Sequence, residues 1–190
     1  MCGIFYFLSC LKKVDHKYLK LSELQAYEYE AFYGTYLSTL DNNVELVEEL
    51  QKGKNDLIVL METLPLEKLQ HTYGQNKWTV AEVFMHIVDT ERIFAYRALR
   101  FSRGDKAPLP GFEQDGYVLE CNASVRTIDQ LMNEYIAVRD SSIALFMPLT
   151  GDQLLYTGTA GDLQWSVAGL GFAISGHQKH HVNILKESYL

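Results

Sequence analysis

Two histidines near the C-terminus have the spacing of a metal-binding pair. His177 and His181 lie four residues apart in the segment that reads as the last helix of the chain. This spacing places both rings on one helix face, with a rise of about 6 Å between their backbones. Leu170, Ala173 and Ile184 share that face, so both rings point toward an apolar interior. Two imidazole rings in this arrangement can hold one metal ion.

Such a pair also has an ordinary structural explanation. A buried neutral imidazole needs partners for both ring nitrogens, and backbone carbonyls can supply them. Taken alone, two histidines on an apolar stripe are more often core residues than ligands. His180 is an alternative ligand, three residues after His177 and at the edge of the stripe. A third inward-facing ligand is needed before the pair indicates a site.

A third histidine occupies the inward face of another predicted helix. A T-x-x-E capping box at residues 79–82 opens a helix that reaches to about residue 101. His86 shares its face with Ile93 and so points toward the core. His86, His177 and His181 therefore give three neutral nitrogen ligands that can converge between two helices. Helix bundles build metal sites in this way.

Three histidines suit a divalent cation, and we expect zinc or nickel, with iron and copper also compatible with imidazole ligands. Three protein ligands leave coordination positions open, which indicates chemistry rather than a structural clamp. Polar residues within a turn of the histidine on the second helix are candidates for proton transfer or for contacts with the ligands. These residues are Glu82, Asp89 and Thr90. Glu82 is equally explained as a helix cap, and the other two as ordinary polar positions of a helix.

An arginine interrupts the apolar stripe of the third predicted helix. Arg139 has apolar neighbours such as Ile143 on its face, and a guanidinium in that setting must find a carboxylate or extend toward water. It is a candidate for binding an anionic group of a substrate. Pairing inside the protein with Asp89 or Glu91 is the slightly favoured interpretation. Arg97, farther along the second helix, is a weaker candidate for the same role.

Four long amphipathic segments position these residues. The first runs from caps at Asp41 and Asn42 to Pro65, and the second covers residues 79–101. The third opens with a T-x-x-Q box at residue 127 and ends near residue 146, and the fourth runs from the cap Ser166 to about residue 188. No convincing series of strands is present, so the sequence predicts an all-α four-helix bundle. Residues 102–123 are rich in glycine and proline, which leaves room for a long crossover between the second and third helices, with one helical turn around residues 111–118.

Three shorter features complete the predicted architecture. Residues 23–40 are rich in aromatic side chains and predict a short helix that ends in a turn at Gly34, with the rings covering the core. A dimer contact is the functional alternative for these rings. Glycines in residues 151–163 predict a loop or small hairpin. The fourth helix contains Gly176 and two other glycines, which we expect to permit close approach of neighbouring segments.

The composition limits the classes of function. The chain has 190 residues, 47% hydrophobic and 22% charged, which is typical of one globular domain. Its 17 lysines and arginines against 24 aspartates and glutamates give a net charge of −7, so we expect no nucleic-acid partner. No apolar run is long enough to span a bilayer, and residues 1–11 lack the positive charge of a signal peptide. Three cysteines without C-x-x-C spacing favour a reducing cytoplasm.

Motifs around the histidines and arginines resemble one known family, the DinB/YfiT-like family of metal-binding four-helix bundles. A tryptophan followed by threonine or serine, at Trp78 and Trp165, precedes both histidine-bearing helices. The resemblance covers residues 25–190, and residues 1–24 form an N-terminal extension outside it. The stretches that carry the resemblance are 78–92, 96–100, 103–105, 138–139, 165–167, 176–177 and 180–185.

The resemblance implies one divalent metal held by His86, His177 and His181, commonly in a homodimer. Members of the family include maleylpyruvate isomerases that use mycothiol, S-transferases that use bacillithiol, and proteins described only as metal-dependent hydrolases. We therefore expect a metal-activated thiol or water that attacks a small molecule, with a low-molecular-weight thiol as a candidate co-substrate. The alternative is a metal-binding stress-response or structural protein without turnover.

Overall fold

Four long helices form the body of the protein, and the predicted all-α four-helix bundle is confirmed. A computed structural model of the chain describes residues 19–190. The helices are α1 (Gly34–Leu37), α2 (Leu46–Thr63), α3 (Val80–Ser102), α4 (Gln114–Glu120), α5 (Ile128–Phe146), α6 (Gly151–Leu154) and α7 (Val167–Ile184), with strands β1 (Thr157–Ala160) and β2 (Leu163–Ser166). The two strands pair antiparallel as the predicted small hairpin. No helix within residues 19–190 combines the length and apolarity needed to cross a bilayer.

The four long helices α2, α3, α5 and α7 are arranged so that α3 packs against α5 and α7, and α2 packs against the same two. Met85 near the start of α3 contacts Arg126 just ahead of α5, and Leu99 and Leu145 near the two helix ends line one cleft. Helices α3 and α5 therefore run parallel. Parallel neighbours need a connection that returns along the bundle, and residues 103–127 provide this crossover.

The predicted starts of three long helices are confirmed by their capping hydrogen bonds. Thr79 Oγ accepts a hydrogen bond from the backbone N–H of Glu82, whose carboxylate accepts one from the N–H of Thr79. Thr127 and Gln130 form the same reciprocal pair at α5, and Ser166 caps α7. Each cap satisfies backbone N–H groups that have no partner inside the helix.

Two of the predicted boundaries near the N-terminus are wrong. Helix α2 begins after Glu45 and not at Asp41 or Asn42, because backbone hydrogen bonds to residues 19–21 hold the chain just ahead of it extended. The Asp41 carboxylate instead accepts a hydrogen bond inside a turn. Gly34 does not end a helix: it has right-handed helical dihedral angles and begins α1, directly after a 3-10 turn.

Two further segments depart from the predicted outline in detail. Helix α7 stops at Ile184, and Leu185–Tyr189 continue as a π-helix. In this π-helix the Tyr189 hydroxyl donates a hydrogen bond of 2.7 Å to the carbonyl oxygen of Trp78. The helical turn expected around residues 111–118 is α4, which begins later, after the side chain of Glu113 caps it.

The predicted N-terminal extension, residues 1–24, is described from residue 19 onward. Leu19 and Leu21 are buried in the core. The carbonyl oxygen of Leu19 accepts a hydrogen bond from the N–H of Leu46, at the first residue of α2. The end of the predicted extension is therefore packed on the bundle, while residues 1–18 lie outside the described residues.

A polar layer divides the hydrophobic core into two clusters. One cluster contains Leu46, Phe94 and Phe146, and the other contains Met61 and Leu131. Between them each long helix contributes polar or small residues that are buried. They are Gly53 on α2, His86, Thr90 and Glu91 on α3, Arg139 on α5, and Ser175, His177 and Gln178 on α7. Thr90, Arg139 and two of the three candidate histidine ligands lie in this layer, and the third, His181, lies beside it.

Candidate metal centre

Three histidines from α3 and α7 meet at the polar layer. Nε2 of His177 lies 2.9 Å from Nε2 of His86 and 3.1 Å from Nε2 of His181. One ligand nitrogen of each ring lies within 4.8 Å of the other two. His86 and His177 are buried, whereas His181 is partly exposed. The structure thus brings together the three residues selected from the sequence, with the His181 side nearest to solvent.

Burial keeps these imidazoles neutral at physiological pH. It lowers the pKa of His86 to about 4 and that of His181 to about 3, and it lowers the pKa of His177 well below the ordinary value. Nε2 of a neutral ring either donates one hydrogen bond or presents one lone pair. Nε2 of His177 therefore cannot satisfy its contacts with both neighbours. A cation that accepts one lone pair from each ring satisfies all three, so these residues fit a divalent metal.

Aromatic rings surround the histidines. The Trp78 ring centroid lies 4.8 Å from that of His86, and the Tyr36 ring lies 5.4 Å from that of His177. Gly176 permits this approach as expected, because a Cβ at this position would lie 2.8 Å from the backbone of Tyr36. The aromatic segment was predicted to pack on the core or to form a dimer contact, and its sequence carries no signal for a contact with the histidines.

His180 lies outside the group of converging ligand atoms found among the described residues. Its ring is partly exposed and lies 4.8 Å from the Tyr36 ring and 5.1 Å from the His181 ring. The geometry therefore favours His181 over His180 as the second ligand from α7. His180 contributes to the wall beside the centre.

Partners within the protein occupy two of the three polar candidates on α3. The Glu82 carboxylate accepts hydrogen bonds from the N–H and hydroxyl of Thr79, at 2.6 and 3.0 Å. Asp89 accepts one from Arg92 at 3.2 Å, and burial raises the pKa of Asp89 although Arg92 opposes this. Thr90 Oγ is buried and has no hydrogen-bond partner within residues 19–190. Of these three groups, the Thr90 hydroxyl is the one left for a ligand.

Arg139 belongs to a separate buried network. Its Nε and Nη2 atoms donate to the two carboxylate oxygens of Glu91, at 2.8 and 2.9 Å. Nη1 donates to the carbonyl oxygen of Leu50 at 3.0 Å, and Nη2 also donates to Gln178 Oε1 at 2.7 Å. The pairing inside the protein that the sequence favoured is present, and its carboxylate is Glu91 rather than Asp89. A role for Arg139 in substrate binding stays a prediction.

Gln178, which was not predicted as a site residue, connects this network across the bundle. Its Oε1 atom accepts hydrogen bonds from Arg139 and from the Tyr135 hydroxyl at 2.8 Å, and its Nε2 atom donates to the carbonyl oxygen of Gly53 at 2.7 Å. Gln178 is 3% exposed and directly follows His177 on α7. An uncharged polar residue beside the histidine pair was the available signal.

Comparisons with known proteins agree with this fold. The sequence model of the DinB superfamily matches residues 49–185. A protein of Oceanobacillus iheyensis named "Putative metal-dependent hydrolase" is 23% identical over 154 residues, which cover 78% of this chain and 86% of that protein. The solved structure of YfiT from Bacillus subtilis, described as "a probable metal-dependent hydrolase with an unusual four-helix bundle topology", has a TM-score of 0.62 at 17% identity and covers 74% of this chain and 83% of that one. The family match includes all three histidines, and the chain belongs to the DinB superfamily.

Proposed function

We propose that the protein is a metal-dependent hydrolase that acts on a small molecule, with one divalent cation held by His86, His177 and His181. The observation that carries this proposal is the convergence of three neutral imidazole nitrogens inside the bundle. Membership of the DinB superfamily and the descriptions of two similar proteins as metal-dependent hydrolases support it. We expect zinc or nickel, since both accept imidazole ligands.

A divalent cation with three histidine ligands would supply Lewis acidity, which lowers the pKa of a water or thiol in an open position toward neutral pH. The surrounding residues supply orientation and exclusion of water. The Thr90 hydroxyl, one helical turn from His86, can exchange a hydrogen bond with a group held beside the histidines. The rings of Tyr36 and Trp78 shield the ligand nitrogens from bulk water. Glu82 and Asp89 remain predictions for proton transfer.

The test measures turnover of protein that is purified without a histidine tag and loaded with zinc or nickel. A panel of p-nitrophenyl esters and anilides tests hydrolysis. Bacillithiol, glutathione or cysteine with monochlorobimane tests S-transfer. We expect hydrolysis that requires the metal, disappears in His177→Ala and persists in the matched control His180→Ala.

The other outcomes are informative as well. S-transfer without hydrolysis would replace the proposed reaction while keeping the same centre, because a thiol then takes the place of water. Metal bound in stoichiometric amount without either reaction would support the non-catalytic alternative. Hydrolysis that is unaffected by chelation or by His177→Ala would contradict the proposal.

A further inference from the structure

Arg97 is a buried cation without a carboxylate partner. Its side chain is 5% exposed, and within residues 19–190 no carboxylate lies within 4.0 Å of its guanidinium. Its Nη2 atom donates one hydrogen bond, to the carbonyl oxygen of Pro110 at 3.1 Å. The ring centroids of Phe94 and Phe112 each lie 5.8 Å from the guanidinium carbon. Of the five N–H groups of the guanidinium, four have no acceptor among the described residues, and the nitrogens without a partner keep some contact with solvent.

Arg139, which is fully buried, shows how the bundle treats a guanidinium with a structural role. At Arg139, burial alone would lower the pKa, but Glu91 and Tyr135 more than offset it and the pKa is raised. At Arg97, burial lowers the pKa, and the Tyr33 phenol offsets this only in part. A buried charge that its own protein leaves unpaired destabilises the fold. Its presence points to a partner that arrives from outside.

Arg97 lies close to the histidine centre. The Phe94 ring is 6.4 Å from the His177 ring and 5.8 Å from the Arg97 guanidinium carbon, so these distances place the guanidinium within about 12 Å of the His177 ring. Tyr33 packs against Phe94 at 5.9 Å, and Tyr36 packs against Tyr33 and His177 at 5.6 and 5.4 Å. The aromatic segment that contains Tyr33 and Tyr36 therefore contacts both Phe94, which lies beside Arg97, and the histidine centre. A molecule about as long as three extended residues can span the distance.

Two other polar atoms near this path lack partners. Thr90 Oγ lies one turn from His86, and Trp165 Nε1 belongs to a ring 5.7 Å from that of Phe94. Both atoms are buried and have no hydrogen-bond partner in the part of the chain from residue 19 on. A hydroxyl, an indole N–H and a guanidinium are all hydrogen-bond donors. Together they are suited to a ligand that carries acceptor oxygens.

We propose that Arg97 binds a carboxylate of the small molecule whose reacting group lies at the histidine centre. Arginine is suited to this role because its planar donor groups pair with both oxygens of a carboxylate. The substrate class is then a carboxylic acid in which about 12 Å or less separates the carboxylate from the group that reacts. This inference rests on the proposed function for the role of the histidines, but carboxylate binding by Arg97 needs no turnover.

Calorimetric titration with benzoate tests the inference. Benzoate is a simple aromatic carboxylate, which suits a guanidinium bordered by Phe94 and Phe112. We expect saturable millimolar binding to the wild-type protein with and without metal, and an affinity at least about tenfold lower in Arg97→Met, which loses charged hydrogen bonds. The control Arg103→Met alters an exposed arginine next to the end of α3 and should bind like wild type.

Stability measurements separate binding from a structural role. Arg97→Met should keep or raise the thermal midpoint, because it removes a buried charge that lacks a partner. If this variant does not fold, Arg97→Lys decides the question, and we expect a weaker affinity because lysine lacks the bidentate geometry. The proposal is overturned if wild type does not bind benzoate, if Arg97→Met or a folded Arg97→Lys binds it as well as wild type, or if Arg97→Met lowers the midpoint as much as Arg139→Met. Since binding is measured without turnover, an inactive but benzoate-binding protein would count against the proposed reaction alone.

Discussion

Two buried polar clusters share the middle layer of the bundle, and only one of them is complete. In the first, the Arg139 guanidinium is held by the Glu91 carboxylate, a backbone carbonyl and the Gln178 amide. In the second, His86, His177 and His181 direct neutral nitrogens at one another. The protein satisfies the first cluster by itself, whereas the second needs a cation to satisfy three lone pairs. We infer that the histidine cluster, whose lone pairs the described residues leave without a shared partner, is where the cation binds.

The complete cluster also supports the incomplete one. Gln178 follows His177 on α7, and Glu91 lies five residues after His86 on α3. Hydrogen bonds from Arg139 to both Glu91 and Gln178 therefore connect the two helices that carry the histidines. We infer that the Arg139 network fixes the rotation of α3 and α7 and so keeps the three imidazoles aimed at one point.

The largest expected effect comes from breaking the complete cluster. Arg139→Ala leaves the Glu91 carboxylate buried without its cation, and we expect a loss of about 3–5 kcal/mol in the free energy of unfolding. Urea denaturation followed by circular dichroism measures it. Replacing both partners, in Arg139→Met with Glu91→Leu, should recover much of the loss because no charge then remains buried. A loss of less than about 1 kcal/mol in Arg139→Ala would show that the network is not a structural unit.

A slightly smaller effect is expected from protonating the histidine cluster in metal-free protein. The folded pKa of His86 is about 4, while an unfolded histidine titrates near 6.5. Between these values the unfolded state binds more protons, so the free energy of unfolding falls as the pH drops below about 6.5. His86 alone contributes about 3 kcal/mol by pH 4. Denaturation curves between pH 7.5 and 4.5 measure this slope, and a flat profile would contradict the buried neutral state.

Completing the histidine cluster should stabilise the protein by a comparable amount. Zinc or nickel at about one hundred times its dissociation constant raises the free energy of unfolding by about 2.7 kcal/mol, because the metal binds the folded state. Differential scanning calorimetry with metal and then with EDTA follows the gain and its reversal. His177→Ala should show no gain, and the control His180→Ala should keep it. A gain of equal size in His177→Ala would place the metal elsewhere.

The smallest expected effect on stability comes from Thr90, whose hydroxyl has no partner among the described residues. Thr90→Val removes an unsatisfied buried oxygen at nearly constant shape, so we expect stability unchanged or raised by up to about 1 kcal/mol, together with slower turnover. The matched control Thr127→Val removes the cap of α5 and should cost about 1 kcal/mol. Equal losses in the two variants would mean that Thr90 has a structural partner.

Local features of the sequence predicted the framework and the convergence of the three histidines. The capping boxes at Thr79 and Thr127 are formed within four residues, so they can be read without knowledge of the fold. The inward faces of His86, His177 and His181 follow from the 3.6-residue period of a helix and from the apolar residues beside them. Both signals depend only on residues that are close in the chain, so packing between the helices did not change them.

Features that depend on packing between helices could not be predicted from local sequence patterns. The rotation of α3 about its own axis decides whether Asp89 or Glu91 faces α5. In the structure, Glu91 faces α5 and pairs with Arg139. The approach of Tyr36 to His177 depends on the path of a segment more than 130 residues upstream along the chain and on the space left by Gly176. The start of α2 was predicted too early because its cause is pairing with residues 19–21.

The metal content of protein purified without a histidine tag tests the central claim most directly. Inductively coupled plasma mass spectrometry should find about one equivalent of zinc or nickel per chain in wild type and in the control His180→Ala. His86→Ala and His177→Ala should be folded by circular dichroism and nearly free of metal, because each loses one of three ligands. Substantial metal retained in both of these variants, or wild-type protein that binds no divalent cation, would contradict the proposed centre.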